Sequence, residues 1–262
     1  MYRYGYKYGF KNVGSFNPLN IEGLQLYLNK DLGVNTKLAA DFDGVNQYLS
    51  SASTDFDKTT QDFSFCGWVK TNVVGNQGIT TKWDGGAAND RGFLLQLNAL
   101  GTFQIFISED GTTSQNIETG AWVVDTWYFV ACVFDFTNSL YKFSVDGGSF
   151  VTDSLPSSIN NSTKDFTLGQ YYSNGSPVAR LDGQLDGFNF YNKALSLAEI
   201  QGIYNGGNGI AYNNLTASQL VDLVSWWELN ETSGTRFDSA GLNNLTDNNA
   251  VGYALGKIQE PS

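Results

Sequence analysis

The chain has 262 residues, a formal net charge of −11, 29 glycines against 4 prolines, and no histidine. That length holds one large sandwich with added segments, or two small domains. The missing histidine excludes His-dependent acid–base and Ser-His-Asp or Cys-His catalysis and most zinc sites, and the acidic balance opposes binding to phosphate backbones.

The N-terminus alternates Tyr2, Tyr4, Tyr6 and Tyr8 with Arg3, Gly5, Lys7 and Gly9, and Arg3, Lys7 and Lys11 are the only charged side chains before Glu22. A period of two places the tyrosines on one side of an extended segment, and tyrosine couples a large apolar ring to a polar tip. A basic arm ahead of an acidic body reads as an anchor on another chain, with Tyr2, Arg3, Tyr4, Tyr6, Lys7 and Tyr8 as its docking residues. An edge strand of its own domain, or a loose terminus, is the alternative. The arm has no apolar core of a secretory signal, and no run of about 18 apolar residues occurs, so neither that export route nor a membrane span is expected.

Many short apolar runs separated by Gly, Asn and Asp predict an all-β chain rich in turns. Residues 24–28 (LQLYL) and 40–49 (ADFDGVNQYL) come first, then 63–70 (FSFCGWVK). In the last of these, alternation puts Ser64, Cys66 and Trp68 on one face and Phe63, Phe65 and Val69 on the other, so an inner strand covered on both faces is expected. Residues 79–83, 92–97 and 102–107 read as three more strands, followed by 127–136 (WYFVACVFDF), 140–146, 166–170 and 184–191. Asp146-Gly147-Gly148 is a hairpin turn signal. The two cysteines, Cys66 and Cys132, lie inside apolar runs and read as buried thiols; a disulfide would need their strands to be adjacent.

After residue 191 a short helix is predicted. Ser196 and Glu199 form a capping box, Leu195 and Ile200 a hydrophobic staple, and Gly206 and Gly207 a stop. Residues 215–220 (LTASQL) repeat the pattern and predict a second short helix. Residues 223–234 (LVSWWELNETSG) follow; in a strand the adjacent Trp226 and Trp227 face opposite ways, one for the core and one for a partner.

Five of these segments, in order, resemble the laminin G-like, concanavalin A-type jelly-roll family: the F-D-G-x-x-x-Y run at 42–48, Trp68-Val69-Lys70, the W-x-x-V-A-x-x-F-D strand at 127–135, YKFSVDG at 141–147, and the closing strand-turn-helix cassette at 181–207. The resemblance spans about residues 40 to 206. It implies an all-β, two-sheet antiparallel jelly-roll β-sandwich with one or two short helices near the C-terminus. The organisation read from it is an arm at 1–20, a jelly-roll domain at 21–207 and an extension at 208–262. Residues 223–234 resemble the segment that usually begins such a domain, displaced here to the C-terminal end. The extension would pack on its own sandwich, form a truncated repeat, or complete a neighbouring subunit by strand addition.

Sugar-cleaving members of the family carry an alternating E-x-D-x-x-E strand; this chain has none, so a non-enzymatic protein is expected. Related jelly rolls often hold a calcium ion near their first and last strands, which makes Asp43, Asp182 and Asp186 the metal candidates; no cofactor is required, and Asp-Gly turns are the competing explanation. Glycan candidates are Trp83, Asp84 and Asn89 in one loop and Tyr172 and Asn174 in another, against a reading in which Trp83 caps the sandwich and Asn174-Gly175 is a turn. The Gly-, Asn-, Ser- and Thr-rich style resembles phage surface proteins. It suggests a virion component (capsid decoration, head fibre or tail accessory) made in the host cytoplasm, with other subunits and glycans as partners and neither nucleic acid nor membrane. A freestanding lectin, with or without calcium, is the alternative, cytoplasmic or extracellular by a route without a signal; a glycoside hydrolase is the third reading.

Overall fold

A computed structural model describes residues 37–86 and 90–258. The tyrosine-rich arm, residues 24–28 and Asn89 lie outside the described residues. The strands in chain order are β1 (Leu38–Asp43), β2 (Tyr48–Ser51), β3 (Phe63–Thr71), β4 (Gln77–Asp84), β5 (Asp90–Leu97), β6 (Phe103–Ile107), β7 (Gln115–Thr119), β8 (Tyr128–Asp135), β9 (Leu140–Val145), β10 (Val151–Ser154), β11 (Phe166–Leu168), β12 (Tyr171–Ser173), β13 (Ser176–Val178), β14 (Asp182–Tyr191), β15 (Leu223–Trp227), β16 (Thr246–Asn248) and β17 (Gly252–Leu255). The helix α1 (Leu197–Tyr204) follows β14.

Two sheets face each other. The first has the order β10-β9-β8-β3-β14-β1-β17, with β15 beside β1 on the same edge of β14; the second has the order β16-β2-β11-β4-β5-β6-β7 and carries the β12–β13 hairpin on β4. Pairing is antiparallel throughout except at Tyr172↔Asp84, where β12 meets β4 in parallel. No helix among the described residues is long and apolar enough to cross a membrane.

Between the sheets lies an aromatic core that includes Phe56, Phe63, Phe65, Phe93, Phe134, Phe166, Phe188, Phe190 and Trp227. Phe63 stacks on Phe134 at 4.2 Å between centroids, and Phe56 on Phe166 at 4.5 Å. Offset stacking of this kind adds to the burial term. A second apolar cluster covers the outer face of the first sheet, where Cys66, Trp68, Phe129, Tyr191 and Trp226 meet Ile200 and Ile203 of α1 and Ile258. β3 is thus covered on both faces, as its two-sided apolar pattern requires. β14 departs from simple alternation: a bulge between Asp186 and Asn189, with Gly187 at φ 55°, brings Leu185, Phe188 and Phe190 all into the inner core. The bulge turns Asp186 and Asn189 to the outer side.

The capping box of α1 is formed, Ser196 Oγ accepting the Glu199 N–H and Glu199 accepting the Ser196 N–H. The stop is Asn205, in the left-handed conformation at φ 51°, one residue before the expected glycines. The second expected helix is a correction. Thr216 and Gln219 do exchange box-like hydrogen bonds, but residues 217–222 form only turns, and Asp222 at φ 59° leads straight into β15. The cysteines lie on adjacent strands, with Phe65↔Cys132 and Cys66↔Ala131 in register, yet point to opposite faces and are free. Asp146 at φ 52° and Gly147 at φ 65° form the hairpin turn between β9 and β10.

Residues 208–258 contribute to both sheets: β15 pairs with β14, β17 with β1, and β16 with β2. Trp227 enters the inner core and Trp226 the outer cluster, and both are 0% exposed. Neither side chain therefore reaches a partner, which corrects their assignment as docking residues; both rings are consumed by covering the sheet from its two sides.

Candidate functional site

The last residues of β4 and the β12–β13 hairpin converge at one end of the second sheet. Gly85 N–H donates to the Tyr172 carbonyl at 2.8 Å, and a Cβ on Gly86 would fall 2.4 Å from Asn174 N, so the two loops touch backbone to backbone. The structure thus brings Trp83, Asp84, Tyr172 and Asn174 together from positions some ninety residues apart in sequence.

Their roles differ. Asp84 is 2% exposed, and its carboxylate accepts the N–H of Gly86 at 3.1 Å and of Gly175 at 2.8 Å and faces Lys164 Nζ at 3.3 Å. Burial alone would raise its pKa, but those two N–H groups and the Lys164 ammonium outweigh it and hold the carboxyl below the usual range. Asp84 is therefore a permanent anion that ties the loops together. Trp83 is 5% exposed, with the Arg91 guanidinium 5.7 Å from its ring centroid and Phe106 at 6.1 Å. The ring expected to stack on a sugar is covered by its own chain. Tyr172 is half-buried, with Lys164 Nζ 5.3 Å from its ring centroid. Burial, reinforced by neighbouring Tyr48, pushes its phenol up to about 12, so it stays a neutral donor at physiological pH. Asn174 is exposed at the hairpin tip in the left-handed region, φ 51°.

Beside this cluster opens a cavity of about 320 Å³ lined by residues 51–54, Asp57, Lys82 and 161–165. Lys82 is buried and ion-paired with Asp57, and Lys164 forms the wall shared with the Asp84–Tyr172 cluster. Sequence reasoning missed this cavity. A buried Lys82 next to Trp83 in β4 was its one local signal, whereas Asp57 and residues 161–165 come from distant segments.

The three aspartates proposed for calcium are placed differently. Asp43 and Asp182 face each other across β1 and β14. Asp43 Oδ1 accepts the N–H groups of Val45 and Asn46, and Asp182 Oδ1 accepts the Asn72 amide. Asp186 is on the outer side of β14, 1% exposed, its Oδ2 accepting the N–H of Lys257 at 2.6 Å and of Ile258 at 2.9 Å. Burial pushes its carboxyl up to about 7, with Glu228 adding to the shift and the Ile258 and Lys257 N–H groups and Lys37 opposing it. Among the described residues, no three His, Cys, Asp or Glu side chains converge in a metal-binding group.

The fold and the loop pairing place this sandwich among known domains. A family model described as the concanavalin A-like lectin/glucanases superfamily matches residues 43–201, more than half of the chain. The chain belongs to that superfamily. Among solved structures, the concanavalin A-like sandwich is similar to a Bacteroides ovatus protein whose assignment as carbohydrate-binding is itself provisional, with a TM-score of 0.65 and 14% identity over 86% of this chain. The match spans 62% of that protein's chain, under two thirds. The CBM40 of the Ruminococcus gnavus IT-sialidase, solved with α2,3-sialyllactose, aligns at a TM-score of 0.52 and 15% identity over 64% of this chain and 99% of its own. The heptameric SAP-like pentraxin of Limulus polyphemus aligns at 0.51 and 15% identity over 67% of this chain and 84% of its own. At these identities the likeness is one of fold. No curated protein matches the chain in sequence.

Proposed function

We propose that this chain is a non-catalytic glycan-binding member of the concanavalin A-like superfamily, engaging sugar at the end of the second sheet where β4 meets the β12–β13 hairpin. The observation that carries the reading is the convergence of Tyr172, Asn174 and Lys164 around the fixed Asp84 anion, next to a polar cavity. Small-molecule sites are concave and place a few oriented polar groups. Carbohydrate-binding neighbours on the same fold add support. Non-catalysis rests on the state of the local carboxylates. Asp84 is held ionised by Gly86, Gly175 and Lys164, Asp57 is paired with Lys82, and Asp90 holds Thr163 through both oxygens. A general acid for glycoside cleavage needs a carboxyl that holds its proton, and Asp84, kept ionised by its neighbours, does not supply one. A glycan array probed with the full chain tests binding, and release of reducing ends from the bound glycan tests catalysis. An empty array removes the first claim; steady turnover removes the second.

The assembly role stands as a separate proposal, carried by the basic tyrosine alternation at residues 2–8 ahead of an acidic body, in a chain whose net charge is −11 overall. In it, residues 1–20 anchor the sandwich on the subunits of a virion and the sandwich faces outward. Deleting residues 1–20 is expected to leave a folded, glycan-competent sandwich that no longer joins its assembly. Retention of assembly by the deletion variant would remove the anchor.

A further inference from the structure

The geometry points to the 320 Å³ cavity between residues 51–54 and 161–165 as the primary sugar subsite, built to take a neutral sugar and to reject a carboxylated one. This deepens the glycan-binding reading and rests on it.

Size is the first argument. Ligand pockets run from about 300 to 1,000 Å³. A cavity of about 320 Å³ sits at the lower end, sized for one or two sugar rings rather than a long chain.

The donor set is the second. Ser51 Oγ accepts the Ser53 N–H, Ser53 Oγ accepts the Asp55 N–H, and Ser162 Oγ accepts the Lys164 N–H. Each hydroxyl thus uses a lone pair on its own backbone and is held in place by it. No acceptor for its proton is found among the described residues. Ser162 is only 2% exposed and Ser51 7%, while Ser53 is half-buried, and all three residues line the cavity. A buried hydroxyl left without an acceptor is costly, and a ligand oxygen restores the bond.

Charge is the third. Two ammonium groups line the cavity, Lys82 and Lys164, and both are already spent, on Asp57 and Asp84 respectively. Asp165 adds a second carboxylate to Asp57 on the lining. Two cations against two anions leave no net positive charge for a ligand carboxylate, and the Asp84 anion stands just behind Lys164. An acidic sugar would have to draw Lys82 or Lys164 away from its carboxylate, and at Asp84, only 2% exposed, that removes the counter-charge from a buried anion. A neutral sugar needs no such exchange. Its hydroxyls accept from Ser51, Ser53 and Ser162 and donate to the outer lone pairs of Asp57 and Asp165. The sialyllactose held by the neighbouring CBM40 is therefore the wrong class of ligand for this cavity.

The test is calorimetric titration of the full chain with methyl glycosides of glucose, galactose and mannose, set against methyl sialoside and methyl glucuronide. ¹⁵N–¹H spectra recorded during each titration report where the ligand sits. At least one neutral glycoside is expected to bind, with the acidic sugars at least tenfold weaker, and with amide shifts concentrated at residues 51–54 and 161–165. Ser53→Ala and Ser162→Ala should each weaken the neutral sugar about three- to tenfold, the worth of one hydrogen bond. If either variant unfolds, the amide map of the wild-type chain decides alone. Tighter binding of an acidic sugar, or shifts confined to another part of the sandwich, overturns the cavity assignment while leaving glycan binding standing. Silence with every glycoside together with an empty glycan array overturns both.

Discussion

Asp84 and Gly175 join the two loops of the site: the Gly175 N–H donates to Asp84 Oδ2 at 2.8 Å from the far end of the hairpin. The same carboxylate takes the Gly86 N–H and faces Lys164. Asp84→Ala strips two backbone donors and one ammonium of their acceptor, and a loss of about 1–3 kcal/mol is expected. Its folded pKa is lowered, so its contribution is present above the unfolded value near ~3.9 and is lost as pH falls through the lower folded value. Urea denaturation of wild type and Asp84→Asn between pH 3 and 7 checks this. The gap between them should close toward the acid end, and a gap independent of pH would contradict the assignment.

Asp186 has the opposite sign. Its folded pKa is raised to about 7, so the folded chain holds the proton more tightly than the unfolded chain. Stability at this site is greatest below about pH 4, falls as pH rises between the two values, and the full cost is present above 7. Asp186→Asn keeps an oxygen for the Lys257 and Ile258 N–H groups and removes the charge. It is expected to raise stability at pH 8 by roughly 1–4 kcal/mol and to flatten the melting temperature between pH 4 and 7. A variant no more stable than wild type at pH 8 would show that the carboxylate is compensated at neutral pH.

The inner core sets a steric prediction. A Cβ on Gly67 would lie 2.3 Å from Phe188 Cδ2 and 3.0 Å from Phe188 Cα, in the middle of β3. The second contact is backbone, so the ring cannot relieve the crowding by rotating away. Gly67→Ala is expected to cost about 1–3 kcal/mol or more by overpacking, read as a lower urea midpoint with an unchanged slope. A neutral effect would mean that β3 and β14 slide apart more easily than their seven-residue register suggests.

What could be read from the sequence followed the physics of local pattern. The strand at 63–70 declared two buried faces because Phe63, Phe65 and Val69 alternate with Cys66 and Trp68. The cap of α1 was legible because Ser196 and Glu199 are three residues apart. Two features were not. The bulge at Gly187 shifts the pleat by one residue, so period-two counting puts Leu185 and Phe188 on opposite faces although both enter the inner core. The Thr216–Gln219 box looks like that of α1 but lacks the apolar stripe that would bury a helix, and it stays one turn. At the site, the loop residues were visible as a composition of Trp, Tyr, Asn and Asp, but their burial was not. Trp83 is covered because Arg91 and Phe106 come from neighbouring strands, and Lys82 and Lys164 find partners 25 and 80 residues away in sequence.

The same long-range logic governs residues 208–258, whose hold on the sandwich centres on Arg236. This side chain is 0% exposed; Nη1 donates to the Gly234 carbonyl at 2.6 Å and Nη2 to the Val251 carbonyl at 2.8 Å. Asp247 answers it, lying 3.8 Å from Nη1 while its own oxygens accept the Gly234 and Val251 N–H groups. Guanidinium and carboxylate thus take the C=O and the N–H of the same two residues, Gly234 and Val251, and pin β16 and β17 in place. Arg236→Ala leaves the Asp247 carboxylate without its counter-charge and the Gly234 and Val251 carbonyls without their donor, and breaking such a buried pair costs roughly 3–5 kcal/mol. Arg236→Lys keeps the charge but replaces a planar fork with one ammonium, which cannot satisfy both carbonyls, so an intermediate loss is expected. Amide exchange locates the damage: protection should fall first at residues 246–255, ahead of β3 and β8. Uniform loss across the sandwich in Arg236→Lys would mean that the C-terminal strands unfold together with the core, and unchanged exchange would show that the pair has no part in holding them.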